Sequence, residues 1–232
     1  MKDAVGVLTG ASGDLGKAIA ARLIGAGAHV IMVGRSRGRL AASSVAHRGN
    51  PRCVTLAADL TEPHGIATIG RAVACKGKLD LLVLGSGIYK RSHDPAILSQ
   101  QFASNVLGPY ALLRTVFPYL VQAQGQVVFI NSTQGLKAMA GVGQFAATQH
   151  AMRALADSFR DEVNSAGVRV LTIYLGRTAT ERQRAIYASE QRSYKPERLI
   201  QPHDVSEVLL GLLNLPRTTE ATEITLRPML KD

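Results

Sequence analysis

Short apolar runs alternate with amphipathic stretches from one end of the chain to the other. This pattern is typical of repeated β-α units and a parallel sheet. The apolar runs predict seven strands, near Val5 to Thr9, Val30 to Gly34, Cys53 to Ala57, Leu79 to Gly85, Gln126 to Asn131, Val168 to Leu175 and Glu223 to Leu226. The stretches between them predict helices near Leu15 to Gly25, Arg39 to Ala46, Ile66 to Ala74, Leu98 to Val121, Val142 to Ser165 and Asp204 to Leu213. We therefore expect an α/β fold in which a seven-stranded parallel sheet is flanked by helices.

No repeat, low-complexity tract or Pro/Gly-rich linker interrupts this series, so residues 1–232 are expected to form a single domain. Asp204, with Glu207 three residues later, is expected to open the last helix as a capping box. Residues 178–201 are polar and follow a strand. This segment is interpreted as a lid over a pocket or, alternatively, as a surface excursion.

Composition narrows the class of protein. The chain is 46% hydrophobic and 19% charged, which indicates a globular core rather than a disordered chain. The N-terminus is apolar too briefly for a signal peptide and no run reaches membrane-spanning length, so we expect a cytoplasmic location and no membrane contact.

The two cysteines, Cys53 and Cys75, lack metal-ligand spacing, which predicts buried free thiols and no metal site. The net charge of +10 is spread along the chain, which favours a solvated basic surface with one phosphate site over a nucleic-acid partner.

A glycine-rich loop follows the first predicted strand and opens the first predicted helix. Gly10, Gly13 and Gly16 in TGASGDLG allow a tight turn and close approach of the backbone to a pyrophosphate at a helix N-terminus. This position between strand and helix favours a doubly wound, Rossmann-type dinucleotide-binding fold. The loop contributes Gly10, Ser12, Gly13, Leu15 and Gly16 to the expected cofactor site.

Arg35 directly follows the second predicted strand, where the adenosine ribose of a dinucleotide would lie. An arginine at this place offers donors to the 2′-phosphate of NADP, whereas a carboxylate would favour NAD. Arg35 and Ser36 therefore predict NADP(H), although Arg35 could also be an ordinary surface arginine. Asp59 and Leu60, after the third strand, are expected near the adenine.

Several motifs in order resemble the short-chain dehydrogenase/reductase (SDR) family over nearly the whole chain. They are TGASGDLG from Thr9, GSG from Gly85, SNVLGPYALLR around Asn105, VVFINSTQG around Ser132, FAATQHAMRALADSFRDE from Phe145, GRTAT from Gly176 and TEITLRPM from Thr222. The resemblance implies further cofactor contacts at Gly85, Gly87, Gly176, Thr178 and Thr180.

The family's catalytic helix is altered in this sequence. In that family a serine orients the substrate carbonyl, a tyrosine transfers the proton, a lysine lowers the pKa of the tyrosine, and an asparagine supports the lysine. Ser132 and Asn105 match, but Phe145 and Gln149 stand at the tyrosine and lysine positions. Phenylalanine carries no ionisable proton and glutamine no charge, so this pair cannot transfer a proton. A positioned acid or base contributes about 10²- to 10⁴-fold in rate.

Three further departures affect the nicotinamide end of the expected site. Gly85 replaces an asparagine, Leu175 replaces a proline, and Asp14 replaces the middle glycine of the family's loop motif. We therefore expect NADP(H) binding to be weakened or lost at the nicotinamide end, while the adenosine half is intact.

Another residue could supply the proton. The candidates are Tyr89, His93, His150, Tyr174, Tyr187 and Tyr194, of which Tyr89 and His93 follow a strand's carboxyl end. His150 is expected to point away from the face of Gln149. Ser132, Asn105 and Gln149 could instead form a neutral constellation that polarises a carbonyl, although Ser132 could also merely cap a turn.

Three functions follow from these residues. The first is a small-molecule enzyme with non-standard chemistry, namely cyclisation, isomerisation or elimination. The second is an NADPH-dependent reductase that uses a displaced acid or water, and the third is an inactive NADP sensor or partner subunit. By resemblance we expect a homo-oligomer, a dimer or tetramer, or a hetero-oligomer with an active relative. The apolar residues that could support such contacts are Val106, Leu107, Leu112, Leu113, Met152, Leu155 and Phe159.

Overall fold

A computed structural model describes residues 1–230 of the chain. Seven parallel strands form one sheet in the order β3-β2-β1-β4-β5-β6-β7. The strands are β1 (Val5–Thr9), β2 (His29–Gly34), β3 (Cys53–Ala57), β4 (Leu81–Leu84), β5 (Gln126–Ser132), β6 (Arg169–Leu175) and β7 (Glu223–Leu226). The prediction of a seven-stranded parallel sheet is confirmed.

Eight α-helices connect and cover the strands within the described residues. They are α1 (Asp14–Gly25), α2 (Arg37–Ser43), α3 (Pro63–Ala74), α4 (Pro95–Phe102), α5 (Gly108–Ala123), α6 (Gly143–Val163), α7 (Glu181–Ser189) and α8 (Pro202–Leu213). Short 3₁₀ turns lie at Val45–His47, Thr133–Gly135, Asn164–Ala166 and Pro196–Arg198.

The central strands are apolar on both faces because each face is covered by helices. On one face the core includes Ile69 of α3, Leu112 of α5 and Phe159 of α6. On the other face it includes Leu23 of α1 and Leu209 of α8. This three-layer arrangement is the single Rossmann-type domain that the alternation of elements and the glycine loop together predict.

The strand order reverses between β1 and β4, which are neighbours in the sheet although β2 and β3 lie between them in sequence. At such a switch point the loops after the two strands diverge and leave a crevice at the carboxyl edge of the sheet, where ligands bind in open α/β folds.

The single helix predicted over Leu98 to Val121 is wrong. The structure breaks it into α4, a wide π turn at Ala103–Leu107, and α5. Gly108 packs against the backbone of Leu60, and a Cβ there would lie 2.9 Å from the Leu60 carbonyl carbon. The apolar pattern runs through the break because the residues on both sides face the same core, so the pattern alone does not reveal it.

The capping box predicted at Asp204 is also misplaced by one turn. Helix α8 begins at Pro202, a residue suited to the first helical position because it lacks an N–H group. Gln201 is the N-cap, and its N–H donates to the Asp204 carboxylate over 3.1 Å. Glu207 instead pairs with Arg22 of α1 at 2.7 Å, which ties α8 to α1.

Three expectations from composition can be compared with the structure. No helix within residues 1–230 has the length and apolar character needed to cross a membrane. In the same range no group of three His, Cys, Asp or Glu residues could hold a metal ion. The prediction of buried thiols is wrong for Cys75, which is exposed, while Cys53 is half-buried.

Candidate functional site

A cavity of about 610 Å³ lies at the carboxyl edge of the sheet. Its walls come from the glycine loop, the loop after β4, the end of β5, helix α6 and the segment 178–201. Ten of the residues assigned from the sequence to cofactor binding line it: Gly10, Ser12, Gly13, Leu15, Gly16, Gly85, Gly87, Gly176, Thr178 and Thr180. The carbonyl-site residues Asn105, Ser132, Phe145 and Gln149 line the same cavity.

The glycine loop has no room for side chains at two of its glycines. Gly10 has a φ of +72°, and a Cβ on it would lie 2.8 Å from the carbonyl carbon of Gly85. A Cβ on Gly16 would lie 2.7 Å from the Cα of Ala11. Thr9 fixes the neighbouring loop, since its Oγ1 accepts from the N–H groups of Gly85 and Ser86 at 3.0 and 3.2 Å. The loops after β1 and β4 therefore pack together backbone to backbone.

The start of α1 suits a phosphate-bearing ligand. Gly13 is its N-cap and has no side chain to accept from the N–H groups of the first turn. Lys17, Arg39 and Arg182 also line the cavity. A helix N-terminus and three cations that line one cavity can supply hydrogen-bond donors to phosphate groups.

Arg182 spans the cleft, since its Nη2 donates to the carbonyl oxygen of Gly87 over 2.7 Å. Its side chain is solvent-accessible within the cavity. Surrounding protein atoms, and then the positive charges of Arg39 and Arg35, lower the pKa of its guanidinium. An arginine stays protonated even so, and the mutual repulsion of these cations favours an anion between them.

The structure does not place Arg35 and Ser36 on the cavity wall. Arg35 is exposed, and Ser36 is the N-cap of α2, where its Oγ accepts from the N–H of Arg39 over 3.3 Å. This cap begins α2, and Arg39, the third residue of that helix, lines the cavity. The arginines at positions 35, 37 and 39 form a basic cluster, which was the signal available in the sequence.

Asp59 and Leu60 also lie off the cavity wall. The Asp59 carboxylate accepts from the N–H and the Oγ1 of Thr61, both at 2.9 Å, which is a local turn contact. Leu60 is buried against α5. Both side chains are therefore engaged in the protein's own packing.

Asn105, in the π turn, is 4% exposed and has every polar group engaged. Its Oδ1 accepts from the N–H of Ile88 at 2.7 Å, and its Nδ2 donates to the Ile88 carbonyl at 2.9 Å. Nδ2 also donates to Thr148 Oγ1 at 3.1 Å. Asn105 therefore clamps the loop after β4 against α6.

Phe145 and Gln149 present no charge to the cavity. Gln149 donates from Nε2 to Thr148 Oγ1 over 3.2 Å, and Thr148 donates to the Phe145 carbonyl over 2.7 Å. The Phe145 ring packs edge-on against Tyr89, with centroids 5.0 Å apart and planes at 76°. The family's acid position thus holds an aromatic contact.

Ser132 caps the turn that follows β5, as its alternative interpretation proposed. Its Oγ accepts from the N–H of Gln134 over 3.2 Å. A hydroxyl has one donor and two acceptor sites, so the cap leaves the Ser132 proton available to a ligand in the cavity. The two interpretations of Ser132 are therefore compatible.

Of the six candidate displaced acids, Tyr89 alone lines this cavity. The Tyr174 hydroxyl is buried and donates to Glu223 over 2.8 Å, and burial, followed by this hydrogen bond, raises its pKa. Tyr194 donates to the Thr180 carbonyl over 3.4 Å, and His150 Nδ1 lies 3.0 Å from the Ala146 carbonyl oxygen. Tyr187 is buried and packs edge-on against Tyr194, while His93 is exposed outside the cavity.

The segment 178–201 contains helix α7 and contacts both sides of the cavity. At the start of α7, the N–H of Glu181 donates to the Asp14 carboxylate over 2.8 Å. After its end, Glu190, only 12% exposed, pairs with Arg91 at 2.7 Å and Arg177 at 3.3 Å. Asp14, the residue that departs from the family's glycine motif, thus binds the segment to the glycine loop.

Known proteins match this arrangement. The family model described as short chain dehydrogenase matches residues 4–191. An uncharacterized oxidoreductase of Staphylococcus epidermidis is 26% identical over 235 residues, which cover 99% of each chain. Dehydrogenase/reductase SDR family member 7B of Bos taurus is 31% identical over 189 residues, which cover 76% of this chain and 58% of that protein.

Solved structures agree with these sequence matches. A metagenomic short-chain oxidoreductase in complex with NADP has a TM-score of 0.83 at 26% identity and covers 99% of both chains. A short-chain dehydrogenase from Streptomyces avermitilis has a TM-score of 0.85 at 25% identity, covering 97% of this chain and 89% of that one. The fold, the ordered motifs and the matched residues together establish that the chain belongs to the short-chain dehydrogenase/reductase family.

Proposed function

We propose that the chain is an NADP(H)-dependent reductase that acts on the carbonyl group of a small molecule without the family's tyrosine–lysine relay. One observation carries the proposal. A single cavity is lined both by cations suited to nucleotide phosphates, Arg39 and Arg182, and by the carbonyl-site serine, Ser132. The 26%-identical solved relative, which is described in complex with NADP, supports the choice of cofactor.

The residues that would hold the cofactor are the glycine loop, the N-terminus of α1, and the cavity-lining arginines. Arg39, with Arg35 nearby, would contact the 2′-phosphate, and Arg182 the pyrophosphate. When bound, NADPH supplies a hydride to a carbonyl carbon. Gly85 and Leu175 replace residues that the family uses at the nicotinamide end, so weaker binding there remains part of the proposal.

Ser132 would orient and polarise the substrate carbonyl with its free hydroxyl proton. A donor aimed at a developing oxyanion contributes about 2.7 to 4 kcal/mol. Asn105 is engaged by Ile88 and Thr148, so its part is to hold the loop after β4. Gln149, which lines the same cavity as Ser132, adds a neutral polar group.

A second candidate function is non-redox chemistry in the same cavity, namely isomerisation, elimination or cyclisation. The site residues favour it, because Ser132 and Gln149 can polarise a carbonyl, while Phe145 carries no ionisable proton for the family's usual proton transfer. This candidate predicts turnover in the complete absence of nicotinamide cofactor. Strict dependence on NADPH would exclude it.

Thermal-shift titrations with NADPH, NADP and NADH test the cofactor. A ligand present at a hundredfold excess over its Kd stabilises the native state by about 2.7 kcal/mol. We expect NADPH and NADP to raise the Tm more than NADH does. Arg39→Gln should weaken NADPH about tenfold or more, since a hydrogen bond to a charged group contributes about 1.5 to 3 kcal/mol.

Arg114→Gln is the matched control, because Arg114 pairs with Glu162 on an exposed surface outside the cavity wall. It should leave the NADPH titration unchanged. Equal shifts with NADH and NADPH, or no shift with either, would contradict the assignment of NADP(H).

A further inference from the structure

We propose that Tyr89 is the proton donor of this site, held in place by two buried amide side chains. The inference rests on the proposed reductase function and names the residue that replaces the missing acid. It assigns to the loop after β4 a task that the family gives to α6.

Both backbone neighbours of Tyr89 are clamped in the same way. On one side Asn105 binds the N–H and the carbonyl of Ile88, at 2.7 and 2.9 Å. On the other side the Gln101 side chain accepts from the Lys90 N–H at 3.2 Å and donates to the Lys90 carbonyl at 3.3 Å.

Gln101 is fully buried and Asn105 is 4% exposed. Burying two amides is costly unless each is hydrogen-bonded, and here each amide both accepts from and donates to the backbone of a residue next to Tyr89. The backbone of Tyr89 is therefore fixed from both sides, which is the preorganisation that a catalytic side chain needs.

The Tyr89 ring is also positioned by an aromatic contact. Its edge-on packing against Phe145 fixes the ring plane next to the position where the family carries its phenol. Within residues 1–230 the Tyr89 hydroxyl has no protein hydrogen-bond partner, whereas those of Tyr174 and Tyr194 each donate to one. Its proton is available to a ligand in the cavity.

The chemistry balances with this one donor. As the hydride adds to the carbonyl carbon, the π pair of the C=O bond moves onto oxygen. That oxygen takes the Tyr89 proton, and the O–H electron pair stays on the phenol as phenolate, which regains a proton from water. A phenol is a far stronger acid than the alcohol formed, so the transfer is downhill without a neighbouring ammonium group.

The decisive comparison is Tyr89→Phe, which removes the hydroxyl and keeps the ring against Phe145. We expect the rate of carbonyl-dependent NADPH oxidation to fall about 10²- to 10⁴-fold. The Tm and the NADPH affinity should stay at the wild-type values. Tyr110→Phe is the control, because Tyr110 is an exposed tyrosine outside the cavity. Phe145→Tyr in the Tyr89→Phe background should recover part of the rate.

A second readout does not depend on turnover. NMR of protein labelled with ¹³C at the tyrosine ζ carbons should show six signals, one for each tyrosine. The signal that is missing from the Tyr89→Phe spectrum belongs to Tyr89. Adding NADP with benzamide, an unreactive carbonyl compound, should shift that signal, because the phenol donates to the carbonyl. If the signal does not shift, or if Tyr89→Phe turns over as fast as wild type, Tyr89 is not the proton donor. Either result leaves the proposed reductase function standing. A wild-type chain that binds NADPH but oxidises none with any carbonyl compound overturns the proposed function as well.

Discussion

At the scale of single residues, the glycine loop shows how close packing determines which residue is allowed. Gly16 and Gly25 lie on the same helix, α1, in very different surroundings. A Cβ on Gly16 would meet the backbone of Gly10 and Ala11, whereas a Cβ on Gly25 meets nothing within 4 Å. The two glycines therefore form a matched pair.

Gly16→Ala is expected to lower the free energy of unfolding by about 1 to 3 kcal/mol, because the added methyl group overpacks the loop and displaces its backbone. The same displacement should weaken NADPH binding. Gly25→Ala should be neutral or stabilising by up to about 1 kcal/mol, because alanine has the higher helix propensity. Urea unfolding of both variants measures this. Equal stability of the two variants would contradict the packing described for the loop.

Tyr174 provides a pH-dependent prediction at the same scale. Its folded-state pKa is raised by burial and by the hydrogen bond to Glu223. The unfolded chain therefore releases the phenol proton at lower pH than the folded chain does. The contribution of Tyr174 to stability is present below about pH 10, the ordinary pKa of tyrosine, and is lost as the pH rises above it.

Tyr174→Phe should cost about 1 kcal/mol at neutral pH, the typical contribution of one hydrogen bond. As the pH rises above about 10, wild type should lose stability faster than the variant, so that the two curves converge. Chemical unfolding at a series of pH values measures both. Parallel curves through the alkaline range would show that the Tyr174 phenol is not protected in the folded state.

At the scale of elements, the segment 178–201 depends on a few contacts at its ends. Thr180 accepts from the N–H of Gln183 at 3.1 Å and Asp14 accepts from the N–H of Glu181, so two N–H groups of the first turn of α7 are satisfied. One of these acceptors belongs to the glycine loop, far away in sequence. The stability of α7 is thereby coupled to the cofactor site.

Asp14→Ala removes that acceptor and should destabilise the segment by about 1 to 2 kcal/mol, as the loss of a helix cap does. Local opening should become about 5- to 30-fold more frequent. Limited proteolysis within residues 181–195 reports the change. Glu162→Ala, which removes an exposed partner of Arg114, is the control, and equal cleavage of both variants would argue against the coupling.

The elements also show what periodicity could and could not predict. The helix predicted over Leu98 to Val121 conceals a π turn, because Val106 and Leu112 face one continuous core across the break. The predicted start of α8 was one turn too late. The capping box is formed by Gln201 and Asp204, and the pair Asp204 and Glu207 has the same spacing of three residues. Boundaries set by local hydrogen bonds are therefore less predictable than the apolar faces beside them.

At the scale of the whole molecule, the alternation of elements predicted the parallel sheet and its seven strands, whereas the glycine loop and the resemblance to the family predicted the site at its carboxyl edge. Ser132, Asn105, Phe145 and Gln149 were expected together and line one cavity. Arg39 and Arg182 were not anticipated. Arg182 reaches the cavity through the fold of a segment with no recognisable motif, and no pattern in the sequence shows its contact with Gly87.

Association between copies of the chain remains a prediction. Most of the apolar residues named for it are buried in the chain's own core, including Val106, Leu112 and Phe159. Leu107 is the most exposed of them, at 62%, and Leu155 is partly buried. If the helices around Asn105 pack across an interface, Leu107 is the residue best placed to contribute to it.

Light scattering is expected to show a dimer or tetramer for wild type and a smaller species for Leu107→Glu, because a buried charge without a partner opposes association. Val54→Glu is the control, since Val54 is also exposed but lies on the edge strand β3. A monomeric wild type would contradict the prediction, as would dissociation by both variants.

We propose that nicotinamide chemistry persists in this chain although Phe145 and Gln149 stand at the positions of the family's tyrosine and lysine. Incubation with NADPH that carries deuterium at both C4 positions and a panel of aldehydes and ketones, followed by mass spectrometry, tests this directly, because the label is transferred whichever face of the nicotinamide donates the hydride. The expected product is an alcohol that carries the deuterium on its carbinol carbon. A product formed without deuterium, or formed equally well without NADPH, would contradict the proposal.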